Sequence, residues 1–191
     1  MRGGTGLDAP GKRGAVNLMT ALIEEGSGDM DAQTFQRRLD ALAASFSFRA
    51  FDDTMSISAR YLTESQDEVL ALLKQALTEP RFDQSAINRV RGQVLSGIAA
   101  DQKNPNRIAS AYFDAAAFGD HPYGTSADGT VDSVNALTQA DMFAAHRNTL
   151  TRDEIYVSAV GDITAEEIGP LLDTLLGDLP DDGPAPAGNV S

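Results

Sequence analysis

Cysteine is absent from the 191 residues. That excludes disulfides, thiolate metal sites and cysteine nucleophiles, and it leaves the redox compartment open. Histidine is nearly absent: His121 and His146 are the whole imidazole supply, so a zinc site built on a histidine pair must use two residues far apart in the chain. No apolar run reaches the roughly 18 residues that a membrane span needs. No signal-peptide pattern opens the sequence, and Met1-Arg2-Gly3-Gly4 reads as a start cut into something longer. Positive charge is also scarce. Fifteen Lys and Arg face 28 Asp and Glu, a net charge of −13. That argues against nucleic acid and anionic membrane surfaces as partners, since both need a basic patch. The acidic residues are scattered and read as a solvated surface.

What is present is a soluble mix, 42% hydrophobic against 23% charged, in a chain long enough to bury one sizeable core. Residues 3–11 crowd glycine and proline and read as a loop. Val16, Leu18, Met19, Leu22 and Ile23 then recur at helical spacing, predicting a helix from Lys12 to Glu25 that Gly26 and Gly28 stop. A second helix starts at Asp31 as N-cap, with Phe35, Leu39 and Leu42 on one face. The period then changes to two. Phe46 and Phe48, and then Met55, Ile57, Ala59 and Tyr61, alternate with polar residues around Asp52-Asp53, which predicts a β-hairpin.

Downstream, Ser65 to Glu68 reads as a capping box for a helix carrying Val69, Leu72, Leu73 and Leu77, which Pro80 ends. Asp83 is expected to cap a longer helix through Ile87, Val90, Val94 and Ile98, with Pro105 restarting it toward Phe118. Gly119 to Val131 reads as a loop. Thr138 to Asp141 starts another helix, residues 155–160 predict a largely buried strand, and Thr164 to Glu167 opens a last helix. The fold class is therefore α+β, a two-layer sandwich of helices on a mostly antiparallel sheet. Three strands make a thin sheet, and its further partners are expected from sequence upstream of Met1. From Pro180 on, proline, glycine and alanine give a linker composition.

Chemistry is harder to find. The acidic pairs Glu24/Glu25, Asp52/Asp53, Glu166/Glu167 and Asp181/Asp182 are sequence neighbours, whose side chains diverge on regular elements. His121, in a loop before Pro122-Tyr123-Gly124, has no second imidazole near it in sequence. No phosphate loop and no nucleophile elbow is present. The residues by themselves give an α+β domain without an evident catalytic site.

A series of landmarks adds a resemblance. They are Gly3-Gly4-Thr-Gly-Leu-Asp8-Ala-Pro10-Gly11-Lys12-x-Gly14, Glu25-Gly26-Ser27, the hairpin from Phe46 to Tyr61, Pro80-x-Phe82, and Asp101 followed by Asn104-Pro105. Gly119-Asp-His121-Pro122-Tyr123-Gly124, Gly129-Thr130, Val160-Gly161-Asp162 and Leu179-Pro180 complete it. In this order they resemble the insulinase/pitrilysin family of zinc metallopeptidases, which carry an inverted His-x-x-Glu-His motif. The resemblance covers residues 3–180. It implies one α/β repeat over residues 1–180 without its first strands, and a linker at 181–191 toward a following domain.

The resemblance also implies where the metal site would be. The first zinc histidine falls at Asn17, the general-base glutamate at Thr20, the second histidine at Ala21 and the third ligand at Gly97. None is a zinc ligand of the family's kind: alanine and glycine offer no donor atom, and a threonine hydroxyl is far too weak a base. The chain thus resembles a non-catalytic member, with no cofactor of its own and zinc expected only in a catalytic partner. The implied role is one wall of a peptide-binding chamber, formed with a catalytic subunit or the second half of a longer chain, with His121 and Tyr123 as possible loop contacts. The alternative is a structural subunit resembling the core proteins of a respiratory complex. Bacterial members of this type are often exported, and nothing in the residues fixes the compartment.

Overall fold

The computed structural model describes residue 1, residues 3–153 and residues 155–185. The fold is organised around helix α1 (Ala15–Leu22), whose Val16, Leu18, Met19 and Leu22 are all buried, with Ile23 just beyond. It is shorter than the periodicity predicts, because Gly14 adopts a left-handed φ of 94° at its start. A two-residue hairpin follows, β1 (Gly26–Ser27) and β2 (Met30–Asp31), with Gly26 opposite Asp31. Helix α2 (Ala32–Ala41) is capped by Asp31, which accepts from the Thr34 N–H at 2.8 Å, as its sequence predicts.

The expected hairpin is present as β3 (Ser45–Ala50) and β4 (Met55–Arg60), antiparallel, with Phe46 opposite Ala59 and Phe48 opposite Ile57. Helix α3 (Gln66–Thr78) buries Val69, Leu72, Leu73 and Leu77. Its start differs from the expected capping box. Ser65 belongs to a 3-10 turn and makes no side-chain cap, while Glu68 is drawn to Arg38 of α2. Helix α4 (Gln84–Asp101) likewise starts without the expected Asp83 side-chain cap, because that carboxylate pairs with Arg81 at 2.8 Å. Asn104 caps α5 (Pro105–Phe118), with proline in its first turn where no N–H is needed.

Beyond the loop come α6 (Val131–Asn135), a short helix that the pattern does not announce, and α7 (Gln139–Thr149). The Thr138–Asp141 capping box is formed in both directions. Helix α8 (Ala165–Leu176) starts where Glu167 accepts from the Thr164 N–H at 2.8 Å. Helix α1 packs on α4, α7 and β3, so helices lie over the hairpin sheet, the α+β layering expected. Phe35, Phe82, Leu77, Ile87, Met142 and Leu150 close the core.

One expected element is corrected. Residues 155–160 form no strand, and Tyr156 (88% exposed) and Val160 stand in solvent rather than being largely buried. A strand needs an adjacent edge to pair with, and no strand of the described residues lies beside this segment. The linker reading for 181–191 falls in its last part, 186–191, outside the described residues.

Candidate functional site

The site implied by the sequence lies on α1, and three separate stretches of chain anchor the start of that helix. Asp8 supplies the cap from a distance. Its two oxygens accept the Gly14 and Val16 N–H groups, each at 2.8 Å, which satisfies donors that a helix start leaves open. Burial pushes the Asp8 carboxyl up from its ordinary pKa, opposed by those two N–H groups and by Arg13. Arg13 is the hub. Its guanidinium donates to the carbonyls of Thr5, Pro122 (3.0 Å) and Thr125 (3.1 Å) and to Asp8 at 3.3 Å, with Asp52 at 3.8 Å. Its side chain is only 14% exposed, and its Nε is buried without a partner. The Ser133 hydroxyl donates to the Arg13 carbonyl at 2.8 Å. The Gly-rich opening, the hairpin turn and the 119–130 loop thus converge on one side chain.

On the face of α1 itself, the Asn17 amide donates to Asp128 at 2.8 Å, tying the loop down over the helix. Thr20 is 4% exposed, and its hydroxyl donates to the Val16 carbonyl at 2.7 Å. Ala21 is exposed. Gly97 lies on α4, the helix packed against α1, exposed and next to the buried Ile98; a Cβ built on it meets nothing within 4 Å. These residues do not fit zinc. One amide is committed to a carboxylate, one hydroxyl to a backbone carbonyl, and two positions have no donor atom. Among the described residues no group of three or more His, Asp or Glu is placed to hold a metal ion. Glu24, half-buried just past the end of α1, has its pKa raised by burial and by neighbouring Glu25.

His121 and Tyr123 are brought together, their ring centroids 4.4 Å apart. His121 Nδ1 accepts the Tyr123 N–H at 3.2 Å, the Tyr123 ring meets Phe118 edge-on, and its hydroxyl donates to Asp53 of the hairpin turn. That bond to Asp53 raises the phenol's pKa. Tyr123 therefore braces the loop against the hairpin. His146, in the last turn of α7, lies in the core. Its Nε2 donates to the Leu77 carbonyl at 2.8 Å, and burial lowers its pKa. The sequence gives no local sign of Arg13 or Asp128: Arg13 is the variable position between Lys12 and Gly14, and Asp128 is one of many loop acids.

The family model described as insulinase (peptidase family M16) matches residues 2–131, more than half of the chain. The chain belongs to peptidase family M16. Over 179 residues it is 24% identical to the non-peptidase homolog YmxG of Helicobacter pylori, covering 94% of this chain and 41% of that protein. It is similar to the crystal structure of a peptidase M16 inactive domain from Pseudomonas fluorescens, with a TM-score of 0.92 at 24% identity over 98% of this chain and 46% of that one. The periplasmic protease PqqL of Escherichia coli is matched at a TM-score of 0.78 and 13% identity, over 99% of this chain and 22% of that chain. At these identities the structural likenesses establish the M16 fold. The chain spans less than half the length of each of these relatives. Among the described residues no helix is long and apolar enough to cross a membrane.

Proposed function

We propose that this chain is a non-catalytic M16 unit. It forms one wall of a peptide-binding chamber, completed by a zinc-bearing catalytic subunit or by the second half of a longer chain. The observation that carries the reading is the α1 face. By the family resemblance, Asn17, Thr20 and Ala21 stand for the metal histidine, the base and the second histidine, and Gly97 for the third ligand; none of the four can act as such. In place of metal chemistry the face carries a hydrogen bond from Asn17 to Asp128 that holds a loop. The likeness to an inactive M16 domain and to a non-peptidase homolog supports the same reading. In such an assembly this chain contributes shape and surface, and the partner contributes Lewis acid and base.

The test has two arms. Purified protein is assayed for zinc stoichiometry by metal analysis and for cleavage of unstructured peptides with and without a chelator. The expected result is no stoichiometric zinc and no cleavage; one zinc per chain with chelator-sensitive cleavage overturns the proposal. Affinity purification from the native source then identifies the partner. A His-x-x-Glu-His chain supports the chamber role, and a membrane complex instead supports a structural subunit.

A further inference from the structure

The chain contains the dipeptide Asp-Gly at Asp128-Gly129, in the loop held over α1, and again at Asp182-Gly183. An aspartate followed by glycine is a chemically weak point, because no side chain shields the glycine nitrogen from the carboxyl beside it. That nitrogen attacks the carboxyl carbon. A C–N bond forms, the carboxyl oxygen leaves as water with the proton of the nitrogen, and a succinimide ring closes. Water then opens the ring at either carbonyl and gives back aspartate or its β-linked isomer, isoaspartate. No co-reactant other than water is needed. At position 129 the fold demands glycine. Its φ is 82°, and a Cβ there would lie 2.3 Å from the Arg13 carbonyl oxygen and 2.8 Å from the Ser133 hydroxyl. The close approach of this loop to the start of α1 therefore requires the weak dipeptide.

We propose that Asp182-Gly183 is a site of spontaneous isoaspartate formation, and that Asn17 guards Asp128-Gly129 against the same reaction. Both reacting groups at 128–129 are tied. Asp128 Oδ1 accepts the Asn17 amide at 2.8 Å, and the Gly129 N–H donates to the Ser126 carbonyl at 3.0 Å. The Asp128 N–H donates to the Ser126 hydroxyl at 3.2 Å. Asp128 is half-buried and Gly129 is buried. Ring closure there must first pull the carboxyl off Asn17 and break the bond made by the glycine nitrogen. At 182–183 nothing comparable holds. Both residues are exposed, and among the described residues neither the Asp182 carboxylate nor the Gly183 N–H has a hydrogen-bond partner. The outcomes differ as well. A β-linkage adds a methylene to the backbone, which at 128 spoils the fit of the loop against Arg13 and at 182 falls in an exposed segment after α8.

The test ages the purified protein at physiological temperature and pH and follows isoaspartate at each dipeptide by mass spectrometric peptide mapping. The expected result is accumulation at Asp182 at least about tenfold faster than at Asp128. In denaturing urea, where the fold protects neither site, the two rates should come within about threefold of each other. Asn17→Ala should speed the reaction at Asp128 at least about tenfold and leave Asp182 unchanged. Tyr123→Phe, which frees the same loop from Asp53 but keeps Asn17, should leave Asp128 within about twofold of the parent. The proposal is overturned if the folded parent forms no isoaspartate at Asp182, or reacts equally at both sites. A difference between the sites that persists in urea also overturns it, since local sequence would then be the cause. So does an Asn17→Ala protein no faster at Asp128, or a Tyr123→Phe protein as fast as Asn17→Ala, which would put general loosening of the loop in place of the Asn17 bond. None of these readouts depends on zinc or peptidase activity.

Discussion

Replacing Arg13 with alanine tests whether one guanidinium holds the opening of this domain together. The substitution strips a cation from the nearly buried Asp8 carboxylate and removes donors from the carbonyls of Thr5, Pro122 and Thr125. Breaking a buried pair by deleting one partner costs about 3–5 kcal/mol. The Thr125 bond lies in an exposed setting, where water replaces the lost donor, so it adds little. For a domain of this length each kcal/mol moves the melting point by about 2–4 °C, so the Arg13→Ala protein is expected to melt roughly 6–20 °C below the parent by circular dichroism at pH 7. The pH dependence identifies the cause. With the cation gone, the folded Asp8 pKa rises further above its unfolded value. Between those two values the folded state binds more protons, so stability falls as pH rises and recovers in acid. The deficit should therefore shrink on acidification, and Asp8→Asn should couple to Arg13→Ala by about 1 kcal/mol or more in a double-mutant cycle. A variant melting within about 2 °C of the parent, or a deficit indifferent to pH, refutes the hub.

Asn17→Ala should cost about 1–2 kcal/mol and raise amide exchange across residues 119–130, because the loop loses its tie to α1; unchanged exchange there sinks the idea. Asn17→His, Ala21→His and Gly97→Glu together should recruit about one zinc per chain, read by metal titration. Adding Thr20→Glu should lower stability by about 1–3 kcal/mol through overpacking, since Thr20 is buried; failure of the folded quadruple variant to bind zinc would show that the two helices do not align as the family's do. His146 has its folded pKa depressed by burial, so below about 6.5 the unfolded state takes up the proton first and stability drops as pH falls. The urea midpoint should decline between pH 7 and 5, and His146→Gln should flatten that decline, so an identical slope in both proteins argues against it.

Much of this fold can be read locally because its helix starts are local. Asp31, Thr138 with Asp141, and Thr164 with Glu167 cap as their spacing predicts, since donor and acceptor lie within one turn. Where a cap residue has a stronger partner elsewhere, the local rule loses. Glu68 is held by Arg38 of another helix, and Asp83 by Arg81. Residues 155–160 carry the right period for a strand, yet pairing is a property of the neighbouring edge and not of the segment. The site divides the same way. Asn17, Thr20 and Ala21 stand on one helix and are ordered by the sequence itself, whereas Arg13 and Asp128 act through partners more than a hundred residues away. No periodicity announces a contact of that kind.

The empty space above Gly97 and the exposure of Ala21 bear on how such a chain changes over generations. A small residue at either position leaves no void in the core, and a large one displaces nothing. Selection for a folded protein is therefore blind to both, and only a working metal site would keep a ligand there. Position 20 is different: packing sees it, and it is filled by a side chain that fits. Ligands at exposed positions such as 21 and 97 can be lost by drift in a chain relieved of peptidase work while the fold stays intact.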